Sequence, residues 1–319
     1  MEKDSRLKFF PVPFFAVVMG LSGLIMSIQK GQEVLGFPQM IDFYLLMIVV
    51  ALFVLFLVVY LLKFVFYKQQ VLSEINHPIK ISFFGAVSIS FILLSVGFDG
   101  INDLLAHILL WVGSVLHLFI TFFIISLWMH DTKFEVTHMS PAWFIPVVGN
   151  ILIPIVGVSY LGLEISWFFF SIGIVFWLVL LVIFFNRIIF YPPIPEKLLP
   201  TLFILIAPPA VGFVSWYELV GQIDQFGKIL YYISLFFLML LIFQSKIFMK
   251  INFYLSWWAY TFPIAAVGIA SMVMYDNTGL MFFELLSYVL FFALVFILII
   301  IVFLTFRHIL NKKICVEEG

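Results

Sequence analysis

Long apolar runs alternate with short polar segments along the whole chain. A membrane-spanning helix needs about 20 apolar residues, because each residue adds about 1.5 Å to its length. Runs of this length predict ten spans, numbered 1 to 10 in chain order, at about residues 11–29, 40–66, 80–98, 103–128, 142–160, 163–188, 200–219, 226–247, 253–275 and 281–308. The first run is followed by SIQKGQ and not by a small-residue cleavage site, so we expect a retained span and no cleaved signal. The pattern predicts an all-α polytopic membrane protein.

Lysine and arginine lie almost entirely on one side of this arrangement. Ten spans place both termini on the same side as the loops after spans 2, 4, 6 and 8. Of the 16 Lys and Arg residues, 14 fall on that side, and only Lys30 and Lys228 fall on the other. Because cytoplasmic loops are enriched in these residues, both termini are predicted to be cytoplasmic. We expect a multi-pass protein of the cell (inner or plasma) membrane, surrounded by the lipid bilayer.

Proline is confined to the odd-numbered spans and to loops. Ten of the 14 prolines lie in or at the start of spans 1, 3, 5, 7 and 9, and the even-numbered spans contain none. One proline from each odd span (residues 13, 78, 146, 209 and 263) gives intervals of 54 to 68 residues, a weak repeat of helix hairpins. Proline frees backbone carbonyls that hydrocarbon cannot satisfy. The alternation therefore predicts five helical hairpins, with an inner ring of five kinked helices and an outer ring of five straight ones.

The composition agrees with a single transmembrane domain over residues 1–319. Apolar residues make up 65% of the chain and charged residues only 10%, which is far more apolar surface than a water-soluble core requires. The net charge of −1 gives no reason to expect nucleic acid as a partner. Cys315 is the single cysteine, so an internal disulfide is impossible.

Catalytic and metal-binding motifs are missing from the sequence. It has no acidic diphosphate-binding run, no HxxxH pair at span depth and no glycine-rich phosphate loop. His107 and His117 both fall in span 4, ten residues apart and on different faces of the helix. A haem or metal site using these two histidines is an alternative to packing or interhelical hydrogen bonding, which we favour. We predict no enzymatic activity, no metal and no cofactor.

Few other polar side chains lie near the spans. Asn150 is the strongly polar residue nearest mid-depth of an odd span, and an interhelical hydrogen bond is favoured over a pore contact. His77 and His138 precede spans 3 and 5, where helix capping is favoured over pH sensing.

The predicted inner ring carries almost no charge. A proton-driven carrier would show a buried Asp, Glu or His relay, and a cation channel would show acidic rings. A neutral, narrow, aromatic-lined path is typical of a channel closed by a hydrophobic constriction. The basic cytoplasmic rim and the positive ends of broken helices favour anions over cations.

Five motifs, one for each odd span, resemble the TehA family, which includes the plant slow-type anion channels and the yeast malate permease. They are FFPVPFFAVVMGLSGL, NHPIKISFFGAVSIS, SPAWFIPVVGN, LIAPPAVGFVSWYEL and WWAYTFPIAAVG, and the resemblance extends over nearly the whole chain. The resemblance implies five helix hairpins around a central pore and a homotrimer with one pore per protomer. It also implies that a phenylalanine of span 9 closes the pore, and Phe262 matches that position.

Residues near the predicted kinks are further candidates for the pore. The kinks are predicted at Pro13, Pro146, Pro209 and Pro263, and the predicted pore-lining residues are Ala16, Met19, Gly20, Gly85, Val148, Gly149, Val211, Gly212 and Ala266. Helix–helix packing is the competing interpretation for each pore-lining residue.

The sequence thus predicts an anion channel for passive flux of small anions such as chloride and nitrate, with Phe262 as the gate. The alternative is a secondary carrier for C4-dicarboxylates, sulfite or tellurite-like oxyanions. About ten residues flank the spans at each terminus. We therefore do not expect the control by kinases that the long tails of the plant channels permit.

Overall fold

The computed structural model describes residues 6–316, and all regular secondary structure within that range is helical. Ten helical segments in it are long and apolar enough to cross a membrane, which confirms the predicted count. Their bounds are Val12–Val34, Ile41–Phe66, Lys80–Phe98, Asp103–His130, Pro141–Tyr160, Leu163–Phe190, Glu196–Val220, Gln225–Phe243, Leu255–Thr278 and Met281–Leu310. Span 1 continues five residues past its predicted end, through a polar turn in which Lys30 and Glu33 form an ion pair of 2.7 Å.

The odd-numbered and even-numbered spans differ in their backbone. Each even span is one continuous α-helix, whereas each odd span begins with 3₁₀ turns before it becomes α-helical. The 3₁₀ segments are Val12–Phe14, Lys80–Phe84, Pro141–Phe144, Gly149–Leu152, Glu196–Leu205 and Leu255–Tyr260. The α-helical parts of the odd spans are Phe15–Val34, Gly85–Phe98, Ile145–Val148, Pro154–Tyr160, Ala207–Val220 and Thr261–Thr278.

Proline and the loss of its amide hydrogen account for this difference. Pro146, Pro209 and Pro263 lie in the first turn of an α-helical segment, where an N–H has no intrahelical partner and its absence costs little. Pro13 lies inside the first 3₁₀ turn. In span 5, Pro141, Pro146 and Pro154 divide the segment into four short pieces.

Burial follows the same alternation. In the most apolar windows of the odd spans, 72 to 89% of residues are buried within the protein, against 22 to 39% in the even spans. Span 1 packs against spans 3 and 9, and spans 3–5, 5–7 and 7–9 are also in contact. Each odd span also contacts the even span that follows it in the chain. The exposed faces of the even spans are rich in Phe, Leu, Ile and Val, the side chains that suit lipid.

Close approach of helices requires glycine around span 5. A Cβ added to Gly85 of span 3 would lie 2.8 Å from the Cα of Pro146. A Cβ added to Gly173 of span 6 would lie 2.8 Å from the backbone nitrogen of Ile151. Both distances are below any normal carbon contact, so these helices can approach span 5 this closely only without a side chain.

A short amphipathic helix, Lys68–Asn76, joins spans 2 and 3 and is anchored by a buried ion pair. Lys63, at the end of span 2, is 1% exposed and donates to Glu74 Oε1 at 2.9 Å and to the Phe10 carbonyl at 2.8 Å. The Tyr60 hydroxyl donates to the other oxygen of Glu74 at 2.6 Å. These bonds connect span 2, the short helix and the start of span 1.

Candidate functional site

An apolar chamber of about 80 Å³ lies among the odd-numbered spans. All five odd spans contribute to its wall, and among the described residues that line it none has an ionisable side chain. The lining residues are Ala16, Met19, Phe83, Ile89, Phe144, Ile145, Val148, Gly149, Ile151, Leu152, Ile204, Ala207, Pro208, Val211, Trp258, Ala259, Phe262 and Pro263. Water gains few hydrogen bonds from such a wall, so the chamber favours a dry state.

Phe262 lines both this chamber and a second, smaller cavity. The second cavity has a volume of about 10 Å³, about the space of one water molecule. It is lined by Met26, Ile155, Val211, Val214, Phe262, Ala266 and Ile269. Phe262 and Val211 are the two residues that the two linings share.

The local sequence positions Phe262 at a change of helix type. Span 9 is 3₁₀ through Tyr260 and α-helical from Thr261, with Pro263 in the first α-helical turn. The Phe262 side chain is 7% exposed and packs beside Gly23 of span 1. A Cβ on Gly23 would lie 3.3 Å from the ring atom Cδ2 of Phe262 and 2.9 Å from the Cβ of Ala265. Because Gly23 has no side chain, the Phe262 ring can pack against span 1 at this point.

The predicted pore-lining residues occupy three different environments. Five of them line the chamber: Ala16, Met19, Val148, Gly149 and Val211. Ala266 lines the second cavity, together with Val211. Gly20, Gly85 and Gly212 line neither cavity.

These three glycines lie where helices approach each other. A Cβ on Gly20 would be 2.1 Å from the Thr261 hydroxyl oxygen, and one on Gly212 would be 3.1 Å from Ile151 Cδ1. Gly85 approaches Pro146 in the same way. At each of these glycines, the side where a Cβ would lie packs against another odd span.

The chamber wall also includes aromatic residues that the sequence interpretation did not select. Phe83, Phe144 and Trp258 come from the 3₁₀ segments that begin spans 3, 5 and 9. Each lies one to five residues before a glycine or proline of its motif. Aromatic residues at the start of every odd span were therefore a usable signal, but the search for small residues near kinks excluded them.

A buried polar network supports the broken helix of span 5. Asn150 Nδ2 donates to Thr121 Oγ1 of span 4 at 2.9 Å and to the Val147 carbonyl at 2.7 Å. Thr121 Oγ1 lies 2.8 Å from both the Pro146 and the His117 carbonyl oxygens, which share its one hydroxyl hydrogen. The expected interhelical hydrogen bond of Asn150 is thereby confirmed.

The histidines near the spans have separate partners. His117 Nδ1 lies 2.7 Å from Ser88 Oγ in the interior, whereas His107 Nε2 accepts from the Trp111 indole at 2.7 Å. His77 Nδ1 accepts the Ile79 amide hydrogen at the start of span 3, as expected of a capping residue. His138 Nδ1 accepts the Glu135 amide hydrogen in a capping box just before span 5. In the part of the chain that the structure describes, no three His, Cys, Asp or Glu residues are placed to bind a metal ion.

Ten helices long and apolar enough to span a membrane, with an uncharged chamber lined by all five odd spans, are typical of a membrane channel or transporter. The sequence pattern of the SLAC1 family, described as voltage-dependent anion channel, matches residues 9–306. The chain therefore belongs to this family.

Its relatives come from plants, archaea and bacteria. The chain is 29% identical over 308 residues to the S-type anion channel SLAH2 of Arabidopsis thaliana, covering 94% of this chain but only 59% of SLAH2. It is 28% identical over 312 residues to the uncharacterized transporter MJ0762 of Methanocaldococcus jannaschii, covering 90% of each. It is 24% identical over 290 residues to the tellurite resistance protein TehA homolog of Haemophilus influenzae, covering 88% of this chain and 87% of that protein.

Proposed function

We propose that the protein is a channel for passive flux of small anions such as chloride and nitrate, with Phe262 as its gate. Membership of the anion-channel family supports anion transport in general. The observation that carries the gate assignment is the position of Phe262 in the walls of both cavities. Rotation of one ring would join the two spaces, and an apolar constriction of this kind closes a pore by excluding water.

The proposed path runs through an inner ring of the five odd spans, surrounded by an outer ring of the five even spans. The contacts from span 1 through spans 3, 5, 7 and 9 and back to span 1 support this arrangement. The contrast in burial between odd and even spans supports it as well. Each odd span and the even span after it would form one of five hairpins within a single domain.

We further propose a homotrimer with one path in each protomer, as the TehA resemblance implies. Native mass spectrometry of the full chain in mild detergent tests this assembly, with a species of three times the 36.9 kDa chain mass as the expected result. Predominantly monomeric or dimeric species would contradict it.

The gate is tested by replacing Phe262 with alanine and measuring chloride current in planar bilayers. Removal of the ring should raise the current well above that of the unmodified protein, because the apolar constriction widens. Phe213→Ala is the matched control, since Phe213 is fully buried on span 7, packs on Tyr231 at 5.5 Å between ring centres and lines neither cavity. If the folded Phe262→Ala protein carried the same current as the unmodified protein, the assignment of Phe262 as the gate would be contradicted.

A carrier for C4-dicarboxylates, sulfite or tellurite-like oxyanions is the second candidate. One relative is named a tellurite resistance protein TehA homolog, and that name favours a carrier for such oxyanions. A carrier would give saturable flux with counterflow and no single-channel steps, whereas the proposed channel gives discrete current steps.

A further inference from the structure

The chain turns back sharply at the end of span 10. The amides of Lys312 and Lys313 donate to the carbonyls of Ile309 and His308, at 3.1 and 2.9 Å, which is the bonding pattern of a Schellman motif. Lys312 has a φ of +58°, the left-handed conformation that glycine usually supplies at this position of a helix end. The turn leads residues 313–316 from span 10, an outer helix, to the starts of the odd spans.

We call residues 312–316 the strap. Its middle residues, Ile314 and Cys315, are half-buried and pack against the main hydrophobic core, whereas the other three are exposed. Cys315 has a φ of +59°, so the strap contains a second left-handed residue that is not glycine. Because this conformation costs free energy in a residue with a side chain, the packing of the two middle residues must hold the strap in place.

The strap forms part of the wall of a cavity at the end of the bundle where the odd spans begin. This entrance cavity has a volume of about 620 Å³ and is also lined by the starts of spans 1, 3, 7 and 9. Phe83 lines both the entrance cavity and the apolar chamber, so the two spaces are neighbours. The strap therefore borders the space next to the chamber on this side of the protein.

The end of span 10, from which the strap departs, also contacts the start of span 9. The His308 ring lies 4.7 Å from that of Phe253 between ring centres, and the Trp258 indole donates to Thr305 Oγ1 at 3.1 Å. Trp258 lines the chamber and precedes Phe262 by about one helical turn. The strap thus begins beside the contacts that hold the helix of the proposed gate.

We propose that the strap is an autoinhibitory element, which restricts entry to the path when it is docked and admits anions when it is released. This inference rests on the proposed channel function. Two half-buried side chains hold the docked strap against the cost of two left-handed residues, so its release requires far less free energy than unfolding of a span. Release removes part of the wall of the entrance cavity and widens the access to the chamber.

Cys315 reports on the docking of the strap, because it is the single cysteine of the chain. Burial raises the pKa of its thiol, so a docked strap should react slowly with a maleimide. In the purified full chain, Ile314→Ser should speed this reaction about tenfold, because the strap loses a half-buried apolar side chain. Val316→Ser is the matched control and should react like the unmodified protein, since Val316 is already 47% exposed.

Lys312→Gly should have the opposite effect. Glycine adopts a positive φ without steric cost, so this variant should stabilise the docked strap and slow the labelling of Cys315 about fivefold. A general loss of stability would speed the labelling in both variants, and it would not produce opposite changes. Equal labelling rates in Ile314→Ser, Lys312→Gly and the unmodified protein would overturn the proposal.

Chloride flux through Phe262→Ala in liposomes tests the autoinhibition. Addition of Ile314→Ser to this variant should raise the flux, and addition of Lys312→Gly should lower it. Unchanged flux, despite the expected changes in labelling, would show that the strap docks but does not inhibit. Absence of flux through Phe262→Ala itself would contradict the channel and with it the autoinhibition, whereas the labelling of Cys315 does not depend on channel function.

Discussion

Asn150 stabilises a part of the backbone that proline has disrupted. Its side-chain amide is fully buried and donates both to Thr121 Oγ1 and to the Val147 carbonyl. The one hydroxyl hydrogen of Thr121 is shared between the carbonyls of Pro146 and His117, each 2.8 Å away. A buried carbonyl without a donor is costly, and these two side chains replace donors that the interrupted helix of span 5 lacks.

Replacing Asn150 with leucine should destabilise the folded protein by about 1–3 kcal/mol, because the Val147 carbonyl and Thr121 lose a buried donor. Thermal unfolding in detergent measures the effect. Asn277→Leu is the control: its amide donates to the carbonyl of Val273, four residues earlier, at 2.9 Å, much as Asn150 donates to Val147, but Asn277 is exposed. Equal stability of the two variants would show that the buried network contributes nothing.

The sequence alone predicted the interhelical hydrogen bond of Asn150. It did not show which of the candidate glycines line the chamber, because all of them are equally small. Gly149 lies three residues after Pro146 and Gly85 lies directly after Phe84, so the two glycines look alike in the sequence. Only Gly149 lines the chamber, although a Cβ on it would point at His117 Nε2, 2.6 Å away. The direction a residue faces depends on the rotation of its helix, which neighbouring helices set.

At the scale of elements, glycine sets how closely spans 1 and 9 can pack. Gly20 and Gly23 of span 1 face Thr261, Phe262 and Ala265 of span 9. This contact holds the proposed gate residue against span 1, so the geometry at Phe262 depends on residues more than two hundred positions away in the sequence.

Gly20→Ala should destabilise the protein by about 1–3 kcal/mol, because the new Cβ overlaps the Thr261 hydroxyl oxygen. Gly268→Ala, in the α-helical part of span 9, provides the comparison, since a Cβ there would meet Leu290 Cβ at an ordinary 3.6 Å. That variant should be neutral or stabilising by about 0.5–1 kcal/mol, as expected for glycine to alanine inside a helix. Thermal unfolding of both proteins checks the prediction, and a Gly20→Ala protein as stable as Gly268→Ala would contradict it.

The ion pair of Lys63 and Glu74 also holds separate elements together. Both side chains are buried, and Lys63 also donates to the Phe10 carbonyl. The pair therefore fixes the amphipathic helix against spans 1 and 2.

Glu74→Gln should cost about 3 kcal/mol, because it leaves a buried ammonium group without a countercharge. Glu33→Gln removes the partner of Lys30 in an exposed pair of similar length, 2.7 Å, and should cost less than about 1 kcal/mol. Chemical denaturation in detergent compares the two. Similar losses for both variants would mean that burial of the Lys63 pair has no energetic effect.

At the scale of the whole molecule, charge distinguishes the two ends of the helix bundle, and burial distinguishes its interior from its surface. Lysine and arginine distinguish one end of the bundle from the other, with 14 of 16 on the terminal side. Burial distinguishes the odd spans from the even spans, inside from outside. Together they support the predicted orientation across a bilayer and the proposed path along the odd spans.

The orientation can be tested with single cysteines at the two ends of span 8. In a Cys315→Ser background, Lys228→Cys should react with a membrane-impermeant maleimide on intact cells, and Lys246→Cys only after permeabilisation. Both positions are exposed, so burial does not confound the comparison. Labelling of Lys246→Cys on intact cells would reverse the proposed cytoplasmic location of the termini.

The sequence by itself determined the ten spans, the charge difference between the two ends and the difference between proline-containing and continuous helices. These properties depend on composition within about 20 residues, which is the scale on which hydropathy and proline act. The tertiary structure decided which side chains share a cavity. Phe83, Trp258 and Phe262 meet at one chamber through contacts between segments far apart in the chain. Helix rotation and close packing create those contacts, and neither can be read from one segment alone.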